Sequence, residues 1–246
     1  MEKIKAFFVK WKIFLIKLRM GEQYDKIIQK ELMGMKDIPF FTCEYGVACL
    51  TLKEIPARGV AYVKILSSVQ SEELVGECVS FCRACGAEEI FASGDDCLRK
   101  YPLTADLICM ARSREDMDET DGAVFPVTEQ TVGRWREIYN ERMSGVPNAA
   151  WLTKQDEKEL LSGGDCYFVH RAGELLGIGR ASGDCIDMVA SACRGAGRDV
   201  VLAMASVLTC DRVSLIVARE NTRAVRLYEA LGFVAVEEVS RWYKIL

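Results

Sequence analysis

Apolar positions in the first twenty residues recur at helical spacing. Phe7, Phe8, Trp11, Phe14, Leu15 and Leu18 fall on one face, flanked by Lys3, Lys10 and Lys17 on one side and Lys5, Lys12 and Arg19 on the other. This periodicity predicts an amphipathic helix, and residues 1–44 are taken as a helical extension. Charge interrupts the apolar run too often for it to cross a bilayer, and no small-residue cleavage site follows. The face suits packing against the protein's own body or a second subunit, which makes a homodimer one expectation. Attachment to anionic lipid is the alternative.

From Tyr45 the pattern changes to β-rich runs. Val47–Leu52 and Val60–Leu66 read as strands separated by Pro56 and Gly59. Ser71 to Cys85 reads as a helix with Ser71 as cap, Glu72 and Glu73 in its first turn and Gly86 as stop. Strands at Glu89–Ala92 and Ala105–Met110 follow. Within the helix, Cys78, Cys82 and Cys85 have the spacing of an iron–sulfur cluster motif. Positions i, i+4 and i+7 also share one helix face, so core packing accounts for them without a metal.

Between Arg112 and Gly122 the chain turns polar, with acids at Glu115, Asp116, Asp118, Glu119 and Asp121, which marks a domain boundary. These acids are either a solvated linker or a lure for cationic substrates. The expected division is 1–44, 45–118 and 119–246. In the last part Val124–Val127 reads as a strand. Thr128 is expected to cap a helix running to about Met143, and a short helix spans about Lys154–Leu161. Strands then fall at Cys166–His170, Leu175–Ala181 and Cys185–Ala190, followed by a glycine-bearing bend, an apolar helix to about Leu208, a strand at Val213–Val217 and a helix from Asn221 to Gly232. The fold class is α/β with α+β character: a mixed, mostly antiparallel central sheet flanked by helices, with a smaller amino-terminal α/β domain.

Composition narrows the chemistry. With 246 residues, 50% hydrophobic and 28% charged, the chain can bury a substantial core. A net charge of −4 offers no electrostatic footprint for nucleic acid. Eleven cysteines, an odd number without a signal peptide, point to reduced thiols and a cytoplasmic location. His170 is the single histidine, so imidazole-based metal binding is not expected and a structural role is its default.

The bend is the candidate for ligand chemistry. Between Arg194 and Asp199 the chain leaves a strand and enters a helix, and glycines there let main-chain amides point outward at a helix N-terminus, which favours phosphate. In the next helix Asn221 is a good N-cap and Gly232 a good stop. Tyr228 lies two turns from Asn221 on the same face.

These residues resemble the GCN5-related N-acetyltransferase superfamily. Its phosphate-loop pattern, Gln/Arg-x-x-Gly-x-Gly/Ala, is matched by Arg194 and Gly197 and departed from at Asp199. Its Asn-x-x-Ala-x-x-x-Tyr-x-x-x-Gly-Phe pattern is met in full by Asn221, Ala224, Tyr228, Gly232 and Phe233. The resemblance spans about the last half of the chain and implies the acetyltransferase fold, acetyl-coenzyme A as acyl donor, and direct attack by an amine of a small molecule or peptide. The implied coenzyme-binding residues are Met188, Val189, Ala190, Arg194, Gly195, Ala196, Gly197, Arg198, Asp199, Asn221, Ala224 and Tyr228. It further implies a Val189 amide that polarises the thioester carbonyl and a Tyr228 that protonates the thiolate.

Strand alternation puts Asp187 on the face of Val189, and the resemblance implies that a carboxylate of this strand can act as base, which makes Asp187 the candidate. Asp184 or an acid of the helical segment would serve as well, and a solvated strand-end aspartate is the other reading of Asp187. The segment from Glu141 to Trp151 is where the acceptor pocket is implied. At Asp199 the side-chain direction decides: outward leaves the amides usable, inward repels a diphosphate. A non-catalytic acyl-coenzyme A-binding or regulatory module is the second expectation, and a membrane-apposed interaction protein the third. Residues 45–118 repeat the strand, helix, strand, strand order of such a core with a turn, Ser67-Ser68-Val69-Gln70, that lacks glycine. They read as a degenerate half-domain of the same kind.

Overall fold

The computed structural model describes residues 37–146 and 148–246. The expected amphipathic helix over the first twenty residues lies outside them. The chain forms two compact units: one runs to Cys97 and includes Ile245–Leu246, the other spans Leu98–Lys244.

The first unit holds β1 (Ile38–Cys43), β2 (Gly46–Thr51), a short α1 (Ile55–Arg58), β3 (Val60–Ser68), α2 (Ser71–Ala84) and β4 (Glu89–Ser93). β1, β2 and β3 pair antiparallel, and β3 pairs parallel with β4 across α2. β1 corrects the helical expectation for the end of the 1–44 segment: Ile-Pro-Phe-Phe-Thr-Cys is a β-rich run closed by a turn into β2. Helix α2 buries Leu74, Val75, Cys78 and Cys82, and Phe81 packs 5.3 Å from Phe41. Burial pushes the Cys78 and Cys82 thiols up to about 12, the state of protonated packing residues. Gln70, not Ser71, is the cap residue of α2. Ser71 is already helical, and its hydroxyl donates to Asp95 Oδ2 at 2.8 Å instead.

The second unit contains β5 (Leu103–Ser113), β6 (Ala123–Pro126), α3 (Val132–Met143), α4 (Glu157–Ser162), β7 (Cys166–Arg171), β8 (Glu174–Ser182), β9 (Cys185–Ser191), α5 (Gly197–Ser206), β10 (Arg212–Ala218), α6 (Thr222–Ala230) and β11 (Val234–Lys244). Its strands lie in the order β11-β5-β10-β9-β8-β7-β6. Every neighbouring pair is antiparallel except β9 with β10. The sequence reading set β5 in the amino-terminal half. In the structure it belongs to the second unit, because β10 takes one of its edges and β11 the other.

Alternating residues of this sheet feed two cores. Val169, Leu176, Val213, Leu215 and Val217 pack with α5, Tyr228 and Phe233; Cys166, Ile178 and Ala190 pack with Trp135, Ile138 and Tyr139 of α3. α5 crosses β8 over glycines: a Cβ on Gly177 would stand 2.7 Å from Val200 Cγ2, and one on Gly179 would stand 2.6 Å from Met204 Cγ. Larger residues there would lift the helix off the sheet. α3 starts later than expected. Thr131 is its cap residue, and Thr128 opens the preceding turn, its carbonyl accepting from the Val132 amide at 2.9 Å. All eleven cysteines are free. Among the described residues no helix is long and apolar enough to cross a membrane.

Candidate functional site

β9 and β10 run parallel but pair only at Cys185 with Ser214 and Ile186 with Leu215. The Ser214 amide closes this end by donating to the Asp184 carbonyl at 2.7 Å. Beyond Ile186 the strands part, so the β9 edge turned toward β10 has no ladder partner. The C-terminal ends of parallel strands that separate are where open α/β sheets bind ligands.

At that end of β9 lies the bend. Ala192 donates to the Leu176 carbonyl at 2.7 Å, but none of the amides from Cys193 to Arg198 makes a well-formed hydrogen bond to the described residues, the chain closing only loosely into a turn over Arg194–Ala196. Cys193, Arg194 and Gly195 are exposed. Gly195 adopts φ 88°, the left-handed region that glycine tolerates, with nothing within 4 Å of where a Cβ would stand. Ala196 is the cap residue of α5 and its side chain cannot cap, so the first-turn amides of Gly197 and Arg198 remain open donors. Gly197 is tight: a Cβ there would come 2.9 Å from Leu227 Cδ2 of α6.

Charged side chains surround these donors. Asp199, 24% exposed, accepts from Arg171 Nη1 at 2.9 Å, and the same guanidinium lies 3.6 Å from Asp121. Arg198 pairs with Asp118. Two acids of the expected linker are thus partners of the arginines flanking the bend. Arg194 has no ion-pair partner among the described residues and is a cation available to an anion. Arg142, from the last turn of α3, donates to the Ala192 carbonyl at 2.5 Å and steadies the approach to the bend.

Asp187 sits in a bulge. Arg180 opposes Met188 while Ala181 opposes Ile186, so β9 carries one residue more than β8 at this point. Plain alternation therefore fails here: Ile186 joins the α5 core, whereas Met188 and Ala190 join the α3 core. Asp187 is exposed. Burial pushes the Cys185 thiol up to about 11, and the Asp187 carboxylate adds to the rise. Arg180 holds the neighbouring Asp165 at 3.0 Å. Val189 packs against the α5 core.

In α6 the Asn221 Oδ1 accepts from the Ala224 amide at 3.2 Å, a side-chain cap. The helix ends with the Gly232 amide donating to the Glu229 carbonyl and the Phe233 amide to the Tyr228 carbonyl, both at 2.9 Å. Arg112 also donates to the Leu231 carbonyl. Tyr228 is 7% exposed, with its ring 6.1 Å from that of Phe233. Its hydroxyl bonds to none of the described residues. Burial pushes the phenol up to about 12.

No protein-family model matches the chain, and no curated protein matches its sequence. Solved structures do match its shape. A GCN5-related N-acetyltransferase from Sphaerobacter thermophilus superposes with TM-score 0.50 at 15% identity, over 80% of this chain and 75% of that one. A tandem GNAT protein from the clavulanic acid biosynthesis pathway gives 0.50 at 13% identity, over 81% and 78%. A conserved protein of unknown function from Staphylococcus epidermidis gives 0.56 at 11% identity, over 83% and 91%. The chain has the fold of the GCN5-related N-acetyltransferases.

Within this fold, the residues expected to bind coenzyme divide by role. Arg194, Gly195, Ala196, Gly197 and Arg198 form the bend, with Val189 on the parted strand leading to it. Met188 and Ala190 face the α3 core, and Asn221 and Ala224 serve as cap and capped amide. Asp199 is turned to Arg171. Arg142 and Arg171 were not singled out from sequence, and Asp118 was read only as one acid of the linker, since no short-range pattern marks an arginine whose partner lies far along the chain.

Proposed function

We propose that the chain is an N-acetyltransferase that moves an acetyl group from acetyl-coenzyme A to an amine by direct attack. The observation that carries this reading is the run of amides from Cys193 to Arg198 that make no well-formed hydrogen bond to the described residues, at an uncapped helix N-terminus where β9 and β10 part. Such donors, with Arg194 beside them, suit a diphosphate. The donor would bring an acyl group activated as a thioester. The Val189 amide would polarise its carbonyl, and Asp187 would take the amine's proton directly or through water. As the carbon–nitrogen bond forms and the carbon–sulfur bond breaks, Tyr228 would give a proton to the thiolate. A phenol at about 12 is fully protonated at neutral pH and able to donate.

The second reading, an acyl-coenzyme A-binding module without turnover, is favoured by the burial of that same phenol in the α5 core. Titrating coenzyme A while following thermal unfolding tests both, since a ligand that binds only the folded state raises its stability. Thiol release in the presence of a panel of amines then separates them. Tyr228→Phe is expected to keep coenzyme affinity within about twofold and to slow thiol release by roughly a hundredfold. An unchanged rate removes Tyr228 from the chemistry. Stabilisation without thiol release selects the second reading.

A further inference from the structure

We infer that Arg171 is a positioning residue for the coenzyme site, holding the Asp199 carboxylate off the amides of the bend. The inference rests on the functional reading above and deepens it. Asp199 is the third residue of α5. From that position an acidic side chain characteristically reaches back to the amide of the cap residue. Here that amide belongs to Ala196, in the middle of the donors that a diphosphate would use. A carboxylate bonded there would fill the site with the chain's own anion and repel an incoming one.

Asp199 does not do so. Its Oδ2 accepts from Arg171 Nη1 at 2.9 Å, and no amide of the bend donates to it. Arg171 is fixed independently of the helix. It is the last residue of β7, bound into the hairpin with β8 opposite Glu174, and Asp121 lies 3.6 Å from its guanidinium on another segment. Arg198 cannot substitute, because Asp118 already engages it. Removing Arg171 would leave Asp121 and Asp199 uncompensated at the start of α5, with Asp199 free to swing onto the cap amide. The residue that breaks the family's phosphate-loop pattern is thus made compatible with an anion by an arginine that the pattern does not contain.

The test is calorimetric titration of the full chain with coenzyme A, paired with steady-state kinetics. Arg171→Ala is expected to weaken binding roughly tenfold and to raise KM for acetyl-coenzyme A while kcat stays within about twofold. Asp199→Ala should bind at least as tightly as the wild type. The double variant R171A/D199A should return to within about twofold of D199A, and Arg171→Lys should lose less than about threefold. If R171A does not fold, Arg171→Gln, which keeps donors without charge, is expected to show the same tenfold loss. Equal affinity of R171A and wild type overturns the inference. So does a double variant that stays as weak as R171A, since Arg171 would then act on the ligand or on the fold. Failure of both wild type and D199A to bind has its own signature: it overturns the functional reading, and this inference with it.

Discussion

The chain contains two parallel strand–helix–strand passages, β3–α2–β4 in the first unit and β9–α5–β10 in the second, and they handle the helix N-terminus in opposite ways. In the first, the strands stay paired from Val60 with Glu89 to Lys64 with Ser93. The amides of Val69 and Gln70, in the turn before α2, both donate to the Tyr45 carbonyl. An internal carboxylate, Asp95, then accepts from the Ser68 and Ser71 hydroxyls at 2.9 and 2.8 Å and from the Cys97 amide at 2.9 Å. In the second, the strands part after two pairs, the bend amides make no well-formed hydrogen bond to the described residues, and the nearby carboxylate is held by Arg171. Element order is therefore a poor guide to binding. What separates a closed connection from a candidate anion site is where its amides go and whether the chain supplies its own anion.

Closing the open passage should have the largest effect. Gly195→Val puts a β-branched residue at φ 88°, a backbone region that costs a residue with a Cβ about 1–2 kcal/mol. The bend must shift to relieve it, and coenzyme A affinity is expected to fall by roughly a hundredfold, about 2.7 kcal/mol. Since no side chain packs there, the unfolding temperature of the free chain should drop by only about 2–6 °C. Titration of the folded variant with unchanged affinity would move the site elsewhere.

Opening the closed passage is the converse experiment, with a smaller effect. Burial alone would raise the Asp95 carboxyl, but hydrogen bonds from the Cys97 amide and the Ser71 and Ser68 hydroxyls outweigh it and hold it down at about 2. A carboxyl whose folded value lies below its unfolded value, near 3.9, stabilises the fold above about pH 4 and loses that contribution as pH falls toward 2. The full shift corresponds to about 2.6 kcal/mol, and partial solvation reduces this to about 1 kcal/mol. Asp95→Asn turns an amide NH₂ toward groups that donate to both carboxylate oxygens. Urea unfolding should show it about 1–2 kcal/mol less stable than wild type at pH 7, with the gap narrowing below pH 3.

What was legible from sequence is what is local. The Asn221 cap, the Gly232 stop and the Gly195 turn are each fixed by bonds within a few residues, and each stands where the pattern put it. Most strand and helix positions in both units followed from periodicity for the same reason, but β11 (Val234–Lys244) and the short α1 (Ile55–Arg58) were not read. The misses are contacts between distant segments: Arg171 with Asp199 across 28 positions, Arg142 with Ala192 across 50 and Arg198 with Asp118 across 80. β5 reads correctly as a strand, but no local signal says that β10 and β11, more than a hundred residues later, will enclose it. The bulge at Asp187 is a further case, since an extra residue in one strand is defined only by its partner's register. β1 was missed because six residues with a proline carry little periodic signal.

The finest test asks whether the closure of the first passage depends on hydroxyl donors or only on charge near a helix N-terminus. Ser71→Ala removes one donor to Asp95 while leaving the carboxylate, the Ser68 hydroxyl and the Cys97 amide in place. If hydrogen bonding is what holds the carboxyl low, losing a donor to its ionised form raises its folded value toward the unfolded one. The stability lost between pH 4 and 2 then shrinks and its midpoint moves upward. At pH 7 the expected cost is about 0.5–1 kcal/mol. If instead the helix dipole dominates, the carboxyl keeps its low value, and the acid-unfolding profile of the variant parallels that of the wild type, displaced by a constant amount. Following unfolding free energy from pH 7 to pH 2 in both proteins separates the two, because a change in slope comes only from a changed proton affinity.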